Sequence, residues 1–165
     1  MKPLYLLAAA AAIAAAAVGT HLGLSNTVVP SSAFVLLDGS TRTSASLTGR
    51  VTLVNFWATS CTSCVAEMPQ LVSTYTKYQA KGFDTIAVAM RYDPPSAVVH
   101  FTRTRQLPFQ VAIDNTGLVA YQWGDVQFTP TSYLVDKRGR IVKRYVGPPD
   151  FTELHQLIEQ LLADA

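Results

Sequence analysis

The chain is poor in the residues that build metal centres and cross-linked scaffolds. It has two cysteines, Cys61 and Cys64, and three histidines, His21, His100 and His155, far apart along the sequence. Tetrahedral zinc usually takes four Cys or His ligands, so this inventory predicts no metal site, and nothing in it calls for another cofactor. One possible disulfide does not make a disulfide scaffold, and 165 residues can bury a core without one. Charge is also sparse. The net value is +2 with basic residues scattered, which gives no footprint for nucleic acid. The densest basic group, Lys137, Arg138, Arg140, Lys143 and Arg144, reads as the solvated face of a hairpin. No internal repeat is present.

The longest gap in charge lies at the start. After Lys2 no Asp, Glu, Lys or Arg occurs until Asp38. Residues Leu4 to Val18 are almost entirely Leu, Ala, Ile and Val. A short positive start followed by such a run is an export signal or a membrane anchor. The unbroken part matches a signal core of roughly 7–15 residues. Continued to Leu24 it reaches the roughly 20 residues that span a bilayer. Small-x-small cleavage triplets occur throughout, so a cleaved signal and an uncleaved anchor both stand. Either way Lys2 stays in the cytoplasm and the domain is exported. The organisation is therefore a signal or anchor segment (1–24), a polar, turn-rich linker (25–33) and one domain (34–165).

Within the domain, "AFVLLDGST" is a strand entering a turn at Asp38-Gly39. "RVTLVNFWA" is the nearly continuous apolar run of a central strand covered on both faces. From Cys64 the apolar positions move to helical spacing through Val65, Met68, Leu71, Val72, Tyr75 and Tyr78. "DTIAVAM" and "FQVAID" are strands, "SAVVHFTRTR" a short helix and "NTGLVAYQWG" a short helix or turn. "TSYLVD" and "RIVKRYV" form a hairpin across Lys137-Arg138-Gly139. A last helix opens on Asp150 as N-cap and carries Phe151, Leu154, Leu157, Ile158, Leu161 and Leu162 on one stripe. This order predicts an α/β fold: a central mixed sheet with parallel crossovers, an antiparallel hairpin and flanking helices.

The chemistry gathers in "NFWATSCTSCVAEMP", residues 55 to 69. Cys61 falls where the central strand ends and a helix begins. A helix start offers unpaired N–H groups and the positive end of the dipole, both of which favour a thiolate. Cys64, one turn on, can attack a mixed disulfide formed at Cys61, so the pair can cycle between dithiol and disulfide. In this reading Cys61 attacks and Cys64 resolves. A purely structural disulfide stands as the alternative, although so short a loop constrains the unfolded chain little.

"LVNFWATSCTSCVAEMPQL" resembles the thioredoxin superfamily and, more narrowly, the TlpA/ResA-type membrane-anchored thiol–disulfide oxidoreductases, some of which serve cytochrome c maturation. The resemblance runs from about Phe34 to the last helix and includes the N-terminal segment. Pro69, five residues after Cys64, sits where that fold kinks its active-site helix. The resemblance implies that Thr129-Pro130 in "FTPTSYLVD" is a cis peptide beside the cysteines, with the Thr129 backbone pairing to an extended substrate chain. It also implies a role for Glu67. Many thioredoxins carry a buried acid on the strand before the cysteines, where this chain has Asn55, and the TlpA/ResA type often pairs Asn there with a Glu three residues after the second cysteine. Glu67 would then exchange a proton with the resolving thiol.

This sequence departs from the family at Ser60, where Trp is usual before the first cysteine, which reduces the aromatic lid to Trp57. It also has Thr62-Ser63 between the cysteines, without the common proline. The hydroxyls there can hydrogen-bond a sulfur. The implied function is disulfide exchange with protein thiols, in the reducing direction, fed by a membrane electron donor. A peroxiredoxin-like peroxidase on the same fold would want a proline and a Thr or Ser ahead of its cysteine. Thr59 is close, but no proline lies between Arg50 and Cys61. A non-catalytic binding module using the Pro130 groove would tolerate Cys→Ser changes.

Overall fold

The computed structural model describes residues 27–164, so the segment read as a signal or anchor lies outside the described residues. In chain order come β1 (Thr27–Val28), β2 (Ala33–Val35), β3 (Thr41–Thr43), β4 (Val51–Trp57), α1 (Thr62–Tyr78) and β5 (Phe83–Ala89). They are followed by α2 (Pro95–Thr104), β6 (Gln110–Ile113), α3 (Leu118–Gln122), β7 (Thr131–Val135), β8 (Arg140–Val146) and α4 (Phe151–Ala163). Among the described residues no helix is long and apolar enough to cross a membrane.

The apolar run at β4 is buried at every residue, as the middle of a two-sided sheet requires. β4 pairs in parallel with β5, and β5 with β6; on its other side β4 pairs antiparallel with β7, and β7 with β8. The result is a six-stranded mixed sheet in the order β1-β8-β7-β4-β5-β6. Alternation along β4 divides the core. Val51, Leu53 and Trp57 pack with Met68, Leu71 and Tyr78 of α1 and with Leu154 and Ile158 of α4. Val54 and Phe56 pack the opposite way, with Phe34, Ile86, Val119 and Trp123. Asn55 shares the first face and so points toward α1.

Two regions differ from the sequence reading. The stretch read as a linker is partly built into the fold. Thr27 and Val28 pair with Ile141 and Arg140, the Val29 N–H donates to the Gly139 carbonyl (3.0 Å), and the buried Ser32 accepts from Trp123 Nε1 (3.1 Å). Backbone pairing at a sheet edge needs no apolar pattern, so polar composition hid it. The basic group around the β7–β8 turn is not simply solvated either. Lys137 Nζ donates to the carbonyls of Leu162 and Asp164 at the end of α4, Lys143 pairs with Glu153 (2.7 Å), and Arg144 lies over the Tyr133 ring.

Both sheet edges are partly closed. β1 covers Arg140 and Ile141 of β8. Beyond β6, Leu36 forms an antiparallel bridge with Ala112, and the Leu37 N–H donates to the Val111 carbonyl (3.2 Å).

Candidate functional site

After β4 the chain reaches the surface at Ser60, and Cys61 becomes the N-cap of α1. Cys61 and Cys64 are joined as a disulfide in this structure. The Cys64 N–H donates to Cys61 Sγ (3.2 Å) and the Ser63 hydroxyl to the same sulfur (3.5 Å). These are the donors a Cys61 thiolate would use, at the positive end of a 17-residue helix. Cys61 is partly exposed whereas Cys64 is fully buried. An incoming sulfur can therefore reach only the first. Pro69 lies inside α1, which continues to Tyr78, as its spacing predicted.

The 58–61 loop is braced from the side. Asp93, itself buried, accepts from the Thr59 N–H (2.6 Å) and the Thr59 hydroxyl (2.5 Å). Thr59, the residue considered for holding a peroxide, thus commits its hydroxyl hydrogen to Asp93. On the opposite side stands the loop before β7. Thr129-Pro130 is cis and is the only cis bond among the described residues. The Thr129 carbonyl oxygen lies 3.5 Å from Cys61 Sγ. The Thr131 hydroxyl donates to the Phe128 carbonyl (2.7 Å) and the Gly147 N–H to the Pro130 carbonyl (2.8 Å), which fixes the loop at both ends.

Glu67 lies one turn beyond Cys64 on the same side of α1, and it is 3 % exposed. Asn55 Nδ2 donates to its Oε1 (3.0 Å) and also to Ser132 Oγ (2.9 Å); Asn55 and Ser132 face each other across β4 and β7. Glu67 Oε2 and Asn55 Oδ1 are buried with no partner among the described residues. Burial pushes the Glu67 carboxyl up to about 7 against the opposing pull of the Asn55 hydrogen bond. A proton on Glu67 removes the charge that burial penalises and turns its unpartnered oxygen from an ionised acceptor into a hydroxyl. The arrangement can hold a proton behind Cys64 and give it up near neutral pH.

All five residues singled out in the sequence, Cys61, Cys64, Glu67, Thr129 and Pro130, fall in this one region. Trp57 does not serve as a lid: it is fully buried, with its ring centroid 5.1 Å from that of Phe101. The exposed aromatics beside the site are Phe128, which precedes Thr129, and Tyr92, whose hydroxyl lies 3.2 Å from Thr129 Oγ1. Sequence reading missed both, along with Asp93 and Ser132. The Asp93-Pro94-Pro95 break was visible, but not what its carboxylate holds. Among the described residues no group of three or more His, Cys, Asp or Glu could hold a metal ion.

Comparison with known proteins gives a consistent picture. The family model described as Redoxin matches residues 24–160. A thiol-disulfide oxidoreductase ResA from Bacillus thuringiensis is 33% identical over 113 residues, 68% of this chain; the matched part spans 64% of that relative's length. The ResA of Geobacillus thermodenitrificans is 32% identical over 130 residues, 78% of this chain and 74% of the relative. Among solved structures, a Neisseria meningitidis protein described as a thioredoxin superposes with a TM-score of 0.78 at 38% identity, covering 84% of this chain and 93% of the other.

Proposed function

The chain belongs to the Redoxin family, in its ResA-like, thioredoxin-fold branch, and from that membership we propose that it is a thiol–disulfide oxidoreductase acting on protein thiols through Cys61 and Cys64. The observation that carries this reading is the asymmetry of the pair: an accessible, N-capping Cys61 whose sulfur already accepts hydrogen bonds, and a buried Cys64 behind it.

In the reducing direction, the Cys61 thiolate attacks one sulfur of a partner disulfide. That S–S bond breaks, the other partner sulfur leaves as a thiolate, and a mixed disulfide joins Cys61 to the partner. Cys64 then loses its proton to Glu67, and its thiolate attacks Cys61 Sγ. The second partner thiolate leaves and the Cys61–Cys64 disulfide forms. The protein has given two electrons to the partner; the one proton released, that of Cys64, passes from Glu67 to solvent, and the partner thiolates are protonated from solvent. The Thr129 backbone beside Cys61 Sγ is placed to pair with the extended chain on which the partner cysteine sits.

The working site is the periplasm, with residues 4–24 as an uncleaved inner-membrane anchor. The charge-free apolar run after Lys2 supports this. The periplasm is kept oxidising, so a membrane donor must return Cys61–Cys64 to the dithiol. Maturation of cytochrome c thiols is the task that the ResA-like membership favours. A reduction potential near about −270 mV for the pair supports the reducing role, and one near about −120 mV overturns it.

The trapping experiment tests the roles of the two cysteines. Cys64→Ala is expected to accumulate a mixed disulfide with thiol partners on non-reducing gels, and Cys61→Ala to accumulate none. The reverse pattern, or trapping by neither, sinks the assignment.

A further inference from the structure

From Thr59 to Thr76 the chain has one charged side chain, Glu67, and it is buried. The outward surface of the first turns of α1, including Thr62, Ser63, Ala66, Pro69 and Gln70, is therefore exposed and uncharged. α2, across a groove, has the opposite character. His100, Arg103 and Arg105 are exposed, and no acidic residue occurs between Asp93 and Asp114. Those two acids are themselves buried and spent, Asp93 on Thr59 and Asp114 on the Ala120 N–H (2.8 Å). Among the described residues neither Arg103 nor Arg105 has a carboxylate partner. The Arg105 guanidinium instead stands 5.7 Å over the Phe101 ring.

The groove has two recesses. One, of about 280 Å³, is walled by Val65, Met68, Pro69, Val72 and Leu107. The other, of about 330 Å³, opens on Thr59 and His100. Phe101 and Arg105 line both, so they form one trough. It begins two residues from Cys61.

We propose that this trough docks an acidic segment of the exchange partner, with one apolar side chain of the segment in the recess walled by Val65 and Leu107 and its carboxylates against Arg103 and Arg105. The inference rests on Cys61 being the exchange site: the trough opens at Thr59, two residues from Cys61, on the side away from Thr129, where residues flanking a partner cysteine can reach it. The unpaired Arg105 guanidinium beside the apolar wall, with Arg103 exposed outside the trough on the same helix, favours carboxylates over a neutral chain and repels a basic one. The uncharged face of α1 adds no acid that would cancel this field.

The test uses the full chain, reduced, in nonionic detergent, with two synthetic peptides. Each peptide has one disulfide and the same apolar residue. One is flanked by Asp and Glu, the other by Lys. Each turnover oxidises Cys61 and Cys64 to the disulfide and reduces the peptide disulfide to two thiols, counted by mass spectrometry. The acidic peptide is expected to react about tenfold faster at low salt, with the advantage shrinking as salt rises. Arg103→Glu with Arg105→Glu should reverse the preference. Arg103→Gln with Arg105→Gln, which keeps most of the packing, should bring the ratio to about one. Equal rates for the two peptides, or a ratio that neither double variant moves, overturns the proposal. Bis(2-hydroxyethyl) disulfide, small and uncharged, separates the two readings. Oxidation of the chain by it without peptide preference defeats the trough alone, whereas no exchange with any of the three disulfides defeats Cys61 as the exchange site.

Discussion

Glu67 is the residue on which pH should act. Its carboxyl ionises near the ordinary 4.5 in the unfolded chain and near 7 when folded, because burial penalises the charge. The folded state thus holds the proton more tightly, and stability falls as pH rises from 4.5 to 7, by roughly 3 kcal/mol in all. Urea unfolding of the oxidised protein at pH 5 and at pH 8 should show this loss, and Glu67→Gln should flatten it. Parallel profiles for the two proteins would defeat the assignment. In exchange assays the wild-type rate should change near pH 7, and Glu67→Gln should lose that inflection. Cys61 and Cys64 were legible because their spacing is local to one strand–turn–helix, whereas Glu67 was marked by the family pattern. Thr129 and Pro130 were legible only through the family pattern. Asp93 and Ser132 were not legible: their partners stand 34 and 77 residues away, and nothing local marks a carboxylate or hydroxyl for so distant a contact.

At the scale of elements, the helices were set by stripes and caps. α4 begins where Asp150 accepts from the N–H groups of Thr152 (2.8 Å) and Glu153 (3.1 Å), and it buries Leu154 and Ile158 against α1 and β4. Asp150→Ala should cost about 1 kcal/mol in chemical denaturation, with Asp150→Asn nearly neutral. An equal loss in both would show that the cap bonds are not the cause. The α1–α4 contact has its own titrating group. The Thr74 hydroxyl hydrogen goes to the Gln70 carbonyl, so His155 Nε2–H donates to Thr74 Oγ1 (2.9 Å), leaving Nδ1 to take up a proton. Burial holds the His155 pKa below 6.5, with Lys77 adding to the effect. The contact therefore loses stability as pH falls through that range. β4, β5, β7, β8 and the helices could be read from their apolar periods. β3 could not: Thr41-Arg42-Thr43 has no apolar residue, and it becomes a strand only because the Asp38–Ser40 turn folds it onto β2.

For the whole molecule, the division is between an apolar N-terminal run and a domain whose described part begins at Thr27. With residues 4–24 as anchor, the full chain should sediment with membranes, resist carbonate extraction and keep its original N-terminus by mass spectrometry. A soluble protein starting after residue 18 would show a cleaved signal instead. The global fold was legible because the order of apolar periods fixes the crossovers. The tethering of residues 27–33 was not, because it is made of backbone pairing and buried hydroxyls.

The partly closed sheet edges bear on what the proposed membrane anchoring would require this domain to avoid. Held on a surface, copies meet far more often than in free solution, and an unpaired strand would invite one sheet to grow onto the next. Here Leu36 and Leu37 occupy the outside of β6. The length of β8 left open by β1 carries Lys143 and Arg144. Crowding should therefore drive encounters between neighbouring copies without seeding a fibril.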